Sequence, residues 1–289
     1  MMARRSTWYA TARNPPLRSP SPSPQLSRSP SLPPPNPLSL AQVGRDRQWA
    51  VFDLHSGTVQ TVPGIAGRTD KAFTSVLPCP AGGVIAMIAQ SGAVLLLNAA
   101  SKQLVATLQP GGGGGRFATQ CAQFSADGAY LHVAADGASV RVWDVRRRCC
   151  VHTWSERGGL RCTALAVSPD GEYLAAGSDS GAVNLYRHAD VLGSVRPEPV
   201  REFLNLTSPV TSLAFNPTSE LLAISSKYVQ RALRLVHVGG RHVFSNWPTS
   251  KSPLNHAQCV AFGPRSGYMA IGTDQGKVLL YQLNHYASM

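Results

Sequence analysis

The sequence predicts an all-β fold, a β-propeller that is incomplete, with about five and a half blades of an expected seven, behind a disordered N-terminal tail. Two motifs that recur on one beat and a sharp break in composition predict it. The first motif is a short apolar strand running into a turn of Ser, Pro, Asp and Gly. It occurs at Leu77-Pro78-Cys79-Pro80, Phe124-Ser125-Ala126-Asp127-Gly128, Val167-Ser168-Pro169-Asp170-Gly171, Phe215-Asn216-Pro217-Thr218 and Phe262-Gly263-Pro264-Arg265, with steps of 47, 43, 48 and 47 residues. The second is a strand after a glycine-containing turn, and its marks at Leu97, Trp143, Tyr186, Val236 and Tyr281 step by 46, 43, 50 and 45. Between them each repeat carries another apolar stretch, such as Tyr130-Leu131-His132-Val133-Ala134, so one unit holds several short strands joined by tight turns.

A period in the mid-forties with about four strands per unit is the signature of WD-repeat propellers, whose blades are small twisted sheets. Trp143-Asp144 is the one literal Trp-Asp pair, and no Gly-His pair occurs. The side-chain network that usually braces such blades is therefore mostly absent, and apolar packing between blades must carry stability. Runs such as Val278-Leu279-Leu280 are expected to be inner strands covered on both faces.

Five repeats begin near Phe73, Phe117, Arg161, Pro209 and Ala257. Before them stand Trp49-Ala50-Val51-Phe52-Asp53 and Thr58-Val59-Gln60-Thr61-Val62, the second half of a further blade, with Phe52 in register 45 residues before Leu97. Its first two strands would fall in the preceding segment, which proline disqualifies. The last repeat stops without an outer strand. An arc of this kind is expected to stay open, with apolar faces and unpaired edges at both ends unless missing sequence or a partner covers them.

The chain thus divides into a tail, 1–44, and a partial propeller, 48–289. The tail holds ten of the 22 prolines and repeats Ser-Pro at residues 19–24 and 29–30. It cannot bury enough apolar surface to offset its ordering entropy, so it is expected to be disordered. Through Arg47 it carries seven arginines against Asp46, half of the +12 net charge. A solvated extension, an organellar transit peptide and a phosphorylatable nuclear or RNA-contacting arm all fit it.

No apolar run reaches the roughly 18 residues of a membrane-spanning helix. The six cysteines form no Cys-x-x-Cys pair, and the eight histidines no metal-binding spacing, so neither a cofactor nor a metal is expected. Cys121, Cys162 and Cys259 recur near the start of three repeats and read as core. The Gly111–Gly115 run lacks the Lys-Ser/Thr of a phosphate loop and reads as a connector. With no seat for acid/base or nucleophilic chemistry, an enzyme is not expected.

Basic groups are the candidate contacts. Arg146, Arg147 and Arg148 lie at a strand end where a turn should reach the surface. Lys227, Arg231 and Arg234 surround an irregular turn, and Lys251 and Arg265 are candidates to join them. Each group is either solvated charge or a site for phosphate or an acidic partner. Trp143, Tyr186 and Tyr281 are expected to be packed between blades, which argues against aromatic reading of RNA bases.

Residues 48–289, and most closely 160–289, resemble the C-terminal propeller of the U3 small nucleolar RNA-associated protein 18 family. The residues that carry the resemblance are Ser168-Pro169-Asp170-Gly171-Glu172-Tyr173-Leu174-Ala175, Val210 to Glu220, Leu233-Arg234-Leu235-Val236-His237, Val243-Phe244-Ser245-Asn246-Trp247-Pro248, Gly263 to Tyr268 and Gly276 to Tyr286. The resemblance implies a WD-repeat scaffold of the small-subunit processome in the nucleolus, acting in processing of precursor small-subunit ribosomal RNA. Its partners would be other processome proteins and precursor ribosomal RNA or small nucleolar RNA, reached through the assembly, with no membrane and no small-molecule substrate. The family has further N-terminal sequence, including more blades, where this chain has its tail, and an incomplete start would account for the blade deficit. A rival reading takes Trp143-Asp144-Val145-Arg146 as the Trp-Asp-x-Arg pattern of propellers that serve as substrate receptors for cullin ubiquitin ligases. The localisation would be organellar if residues 1–44 were a transit peptide.

Overall fold

The structure is a computed structural model and describes residues 39–43, 49–53, 57–62, 65, 72–110, 119, 121–134, 137–249, 252 and 254–286. Among them the chain forms antiparallel up-and-down sheets that follow one another in sequence. The leading sheet is β1 (Ser39–Val43), β2 (Trp49–Asp53) and β3 (Val59–Val62). The second is β4 (Phe73–Pro78), β5 (Val84–Ala89), β6 (Val94–Asn98) and β7 (Leu104–Leu108). The third is β8 (Ala122–Phe124), β9 (Tyr130–Ala134), β10 (Ser139–Asp144) and β11 (Cys149–Ser155). The fourth is β12 (Cys162–Val167), β13 (Tyr173–Ser178), β14 (Val183–Arg187) and β15 (Arg201–Phe203), with a short helix α1 (His188–Gly193) before β15. The fifth is β16 (Ser212–Phe215), β17 (Leu221–Ser225), β18 (Leu233–His237) and β19 (His242–Val243). The last is β20 (Ala257–Phe262), β21 (Tyr268–Thr273) and β22 (Val278–Gln282), three-stranded among the described residues.

These five later sheets are the five repeats, arranged as a propeller. Their first strands β4, β8, β12, β16 and β20 touch in succession and so line the inner side of the arc. The apolar cores lie between sheets. Leu77, Ile88 and Leu96 of one blade meet Phe124, Leu131 and Val133 of the next. Val140, Val142 and Trp154 then meet Leu165, Leu174 and Tyr186, with the Trp154 and Tyr186 rings edge to face at 5.3 Å. Val183 and Leu185 pack on Leu222 and Ile224, and Leu233 and Leu235 pack on Met269 and Ile271. Each fully buried side chain of this size contributes about 1.5–3 kcal/mol relative to exposure, so the blade interfaces hold the molecule together. Small residues let the blades close up: a Cβ at Gly177 on β13 would lie 2.7 Å from Val210 at the start of the next blade.

Two expectations need correction. Ser39–Val43, read as part of the disordered tail, forms β1 and pairs with β2 from Ser39 opposite Asp53 to Val43 opposite Trp49. The proline run ends at Pro37, so this pentapeptide keeps every backbone donor that a ladder needs. The remainder of the tail lies outside the described residues, as does the Gly111–Gly115 run. The second correction concerns Val278 and Leu280, which are 71% and 67% exposed. The equivalent Val94 and Leu96 on β6 are buried between two blades. One face of the last sheet has no following blade among the described residues, and Val278, Leu280 and Cys259 all lie on that face. Cys259 is accordingly exposed where Cys162, at the related place, is buried.

Candidate functional site

In an up-and-down blade the turns after the first and third strands fall at one end, and the turn after the second strand, with the link to the next blade, at the other. Neighbouring blades share this orientation, because like turns bond to like. Asp170 N–H donates to Ser219 Oγ at 3.1 Å and Asn216 Nδ2 to Ser266 Oγ at 3.2 Å, all in first turns. At the opposite end Arg231 N–H donates to the Asn255 carbonyl at 3.1 Å, and Leu160 N–H to Asp179 Oδ1 at 3.1 Å. This geometry sorts the basic candidates. Arg146, Arg147 and Arg148 occupy the turn after β10 and Arg265 the turn after β20, so they share the first end, three blades apart. Lys227, Arg231 and Arg234 lie in and beside the turn after β17, at the second end. Arg265 therefore does not join them, because successive turns alternate ends. Lys251 lies outside the described residues.

The Arg146–Arg148 turn is built for its own stability. Asp144 Oδ1 accepts the N–H groups of Arg146 and Arg147 at 2.8 Å each, and its other oxygen lies 3.9 Å from Arg147 Nε. Arg148 adopts φ 58° to close the turn. Trp143 packs partly buried against the core between the second and third blades. Turn chemistry thus accounts for Asp144 within Trp143-Asp144-Val145-Arg146.

The second end holds a cleft of about 350 Å³ lined by Asn205, Arg231, Arg234, Phe244, Trp247 and Thr249, among others. It is built from the link after β15, the turn after β17, residues of β18 and β19, and the long link after β19. Arg231 sits at φ 56°, pinned by its bond to Asn255. Arg234 Nη1 donates to the carbonyls of Leu233 at 2.8 Å and Arg231 at 3.1 Å, which fixes the guanidinium plane. Trp247 is held by an edge contact to Tyr281, ring centroids 5.4 Å apart. Lys227 lies on the same turn outside the lining, its Nζ 5.3 Å from the exposed Tyr228 ring. The lining contains no carboxylate. Among the described residues Arg231 and Arg234 are in no ion pair, whereas Arg147, Arg157 and Arg161 are.

Phe244 and Trp247 are the residues that sequence reasoning passed over. They stand outside the repeating strands, so no periodicity marks them, and only the resemblance of Val243 to Pro248 drew attention there. Trp143, Tyr186 and Tyr281 do pack between blades as expected.

The other chemically notable groups are inside blade interfaces. His132 is fully buried with Nε2 2.9 Å from Nε2 of His188, and burial pulls its pKa down to about 3. Burial raises the Glu156 carboxyl, whose Oε1 accepts from Asn184 Nδ2 at 2.7 Å and Gly158 N–H at 2.6 Å. These groups are closed off from solvent by packing. Among the described residues no His, Cys, Asp and Glu cluster could hold a metal ion, and no helix is long and apolar enough to cross a membrane.

Comparison with known proteins matches the WD domain, G-beta repeat, to residues 148–187. That span takes the outer strand β11 of one blade and β12 to β14 of the next. Along a greater length the chain is similar to U3 small nucleolar RNA-associated protein 18 homologs. It is 36% identical to the Mus musculus protein over 238 residues, covering 82% of this chain and 42% of that protein. The Homo sapiens homolog is 35% identical over 86% of this chain and 44% of its own length. The Arabidopsis thaliana homolog is 33% identical over 87% and 45%. The chain spans less than half the length of these curated relatives. From mammals to a plant the similarity extends over more than four-fifths of this chain rather than one repeat, and it is the U3 small nucleolar RNA-associated protein 18 family that the chain is similar to.

Proposed function

We propose that this chain is a non-catalytic WD-repeat scaffold of the small-subunit processome, acting with the U3 small nucleolar ribonucleoprotein in nucleolar processing of precursor small-subunit ribosomal RNA. The observation that carries the reading is the identity of 33–36% over more than four-fifths of the chain to proteins described as U3 small nucleolar RNA-associated. The physical character of the molecule supports it. Rigid blades with variable turns hold partners at fixed geometry, and basic turns at both ends favour neighbours that carry phosphate or acidic residues. Processome proteins are the direct partners in this reading, and precursor ribosomal RNA and small nucleolar RNA are bound within the assembly. The basic residues proposed as contacts are Arg146, Arg147 and Arg148 at one end and Lys227, Arg231 and Arg234 at the other.

Affinity purification of the tagged chain from nuclei tests this. U3 small nucleolar RNA and processome proteins are expected to co-purify, with part of the protein set released by nuclease. Stoichiometric recovery of a cullin adaptor without that RNA would overturn the proposal. In imaging, a fluorescent fusion is expected to coincide with a nucleolar marker.

A further inference from the structure

The cleft at the second end combines features that seldom meet on a surface serving only structure. Its two arginines face no carboxylate. Arg234 is already oriented: both Nη1 hydrogens are spent on backbone carbonyls. A guanidinium has five N–H donors in a fixed fork, so the edge formed by Nε and Nη2 remains, and no acceptor among the described residues occupies it. That edge matches two oxygens of one phosphate. Arg231 is held in a left-handed backbone conformation that non-glycine residues adopt at a cost, and it too lines the cleft. Beside these cations stand Phe244 and Trp247, half-buried rather than sealed in a core. Aromatic rings next to arginines are the combination by which proteins hold unpaired nucleotides, with base on ring and phosphate on guanidinium. The volume of about 350 Å³ suits one nucleotide and is too small for a duplex.

We infer that this cleft binds one nucleotide of single-stranded RNA, its base stacked on Trp247 and its phosphate paired with Arg231 and Arg234. The edge contact of Trp247 with Tyr281 holds the indole upright, and Asn205 and Thr249 at the rim supply polar groups for the sugar or the base edge. The choice of RNA over other phosphate carriers rests on the ribonucleoprotein role proposed above. The cleft's affinity for an unpaired, phosphate-bearing ring follows from the geometry.

Fluorescence anisotropy of the full chain with a labelled twelve-residue oligouridine tests the inference without other processome components. The single strand is expected to bind more tightly than a twelve-base-pair RNA duplex. Trp247→Leu is expected to weaken binding roughly tenfold, the size typical of one lost base–aromatic stack. Arg231→Gln is expected to lower the slope of log affinity against log salt by about 0.7, one phosphate contact on a single strand. Trp247→Phe keeps a ring against Tyr281. It is expected to bind within about threefold of the unaltered chain, in the range of one ring replacing another, yet to lose most of the tryptophan quenching that oligouridine produces. The inference is overturned if Trp247→Leu and Arg231→Gln bind within twofold of the unaltered chain, if quenching survives in Trp247→Phe, or if the duplex binds as tightly as the single strand. A phosphoserine peptide that outbinds oligouridine through Trp247 would likewise overturn it in favour of a protein ligand. Because U3 RNA recovery from nuclei is measured separately, loss of the cleft's role would leave the scaffold reading standing, and the reverse.

Discussion

His132 shows how one residue ties this fold to pH. It sits on β9 in the interface between the third and fourth blades, and its ring meets His188 at the start of α1. Burial, reinforced by His188 and opposed by Asp127, lowers its pKa from 6.5 to about 3. The unfolded chain therefore takes up a proton that the folded chain refuses. Stability from this group is complete above about pH 6.5 and is lost progressively as pH falls toward 3, by about 1.4 kcal/mol per unit. Denaturant unfolding at pH 7.5 and 4.5 is expected to show a loss of about 2–3 kcal/mol from this group, and His132→Gln should flatten that profile; parallel profiles would refute the assignment. Gly181, in the turn after β13, has φ +95°, and a Cβ there would lie 2.4 Å from the Leu206 carbonyl oxygen. Gly181→Ala is expected to cost more than about 2 kcal/mol in the same assay, since it combines backbone strain with a backbone clash. Gly193→Ala, where a Cβ meets nothing, should be close to neutral.

At the scale of elements, the recurring unit is a strand, a turn and a strand, and the turn has its own hydrogen bonds. Ser168 Oγ accepts the Tyr173 N–H at 2.8 Å and donates to the Asp170 carboxylate, which in turn accepts the Glu172 N–H at 2.9 Å. Ser125 and Asp127 repeat the arrangement one blade earlier. Asn216 substitutes for it one blade later, its Oδ1 accepting the Leu221 N–H at 2.8 Å. Ser168 is fully buried, so Ser168→Ala strands a backbone donor away from water. The expected loss is about 1–3 kcal/mol, read as a fall in melting temperature, and a change inside experimental error would mean that the turn is held by its neighbours instead. These turns were legible in the sequence because Ser-Pro-Asp-Gly encodes its conformation locally. Strand β1 was not, since its pentapeptide adjoins a proline-rich run and only pairing with β2 makes it a strand. Helix α1 was missed for a similar reason: six residues carry too little periodicity to stand out from a loop.

Over the whole molecule, the identity of a side chain says less about its burial than its blade's position in the arc. Leu96 on β6 and Leu280 on β22 occupy the same place in their repeats, yet one is 1% and the other 67% exposed. Leu96→Ala is expected to cost about 2–5 kcal/mol, as a buried truncation does. Leu280→Ala should change stability by less than about 0.5 kcal/mol. Equal costs, measured by denaturant unfolding, would mean that the last sheet's open face is covered in solution. The same face predicts association: an exposed apolar sheet surface beside the edge of β22 is a template for other chains. The paired substitutions Val278→Thr and Leu280→Thr are expected to lower the weight-average mass seen by light scattering while leaving the melt almost unchanged.

The sequence by itself determined the repeats, the strand-forming stretches and the turns, because a repeat of fixed length with a local turn code needs no long-range information to be read. It also pointed to the family, and similarity to the curated relatives bore that resemblance out. Only the tertiary structure decided which apolar runs are covered, which basic residues share an end, and that Phe244 and Trp247 meet Arg231 and Arg234 in one cleft. Those outcomes depend on which segments, many residues apart, the stacking of blades brings together, and that is a property of packing that no local pattern records.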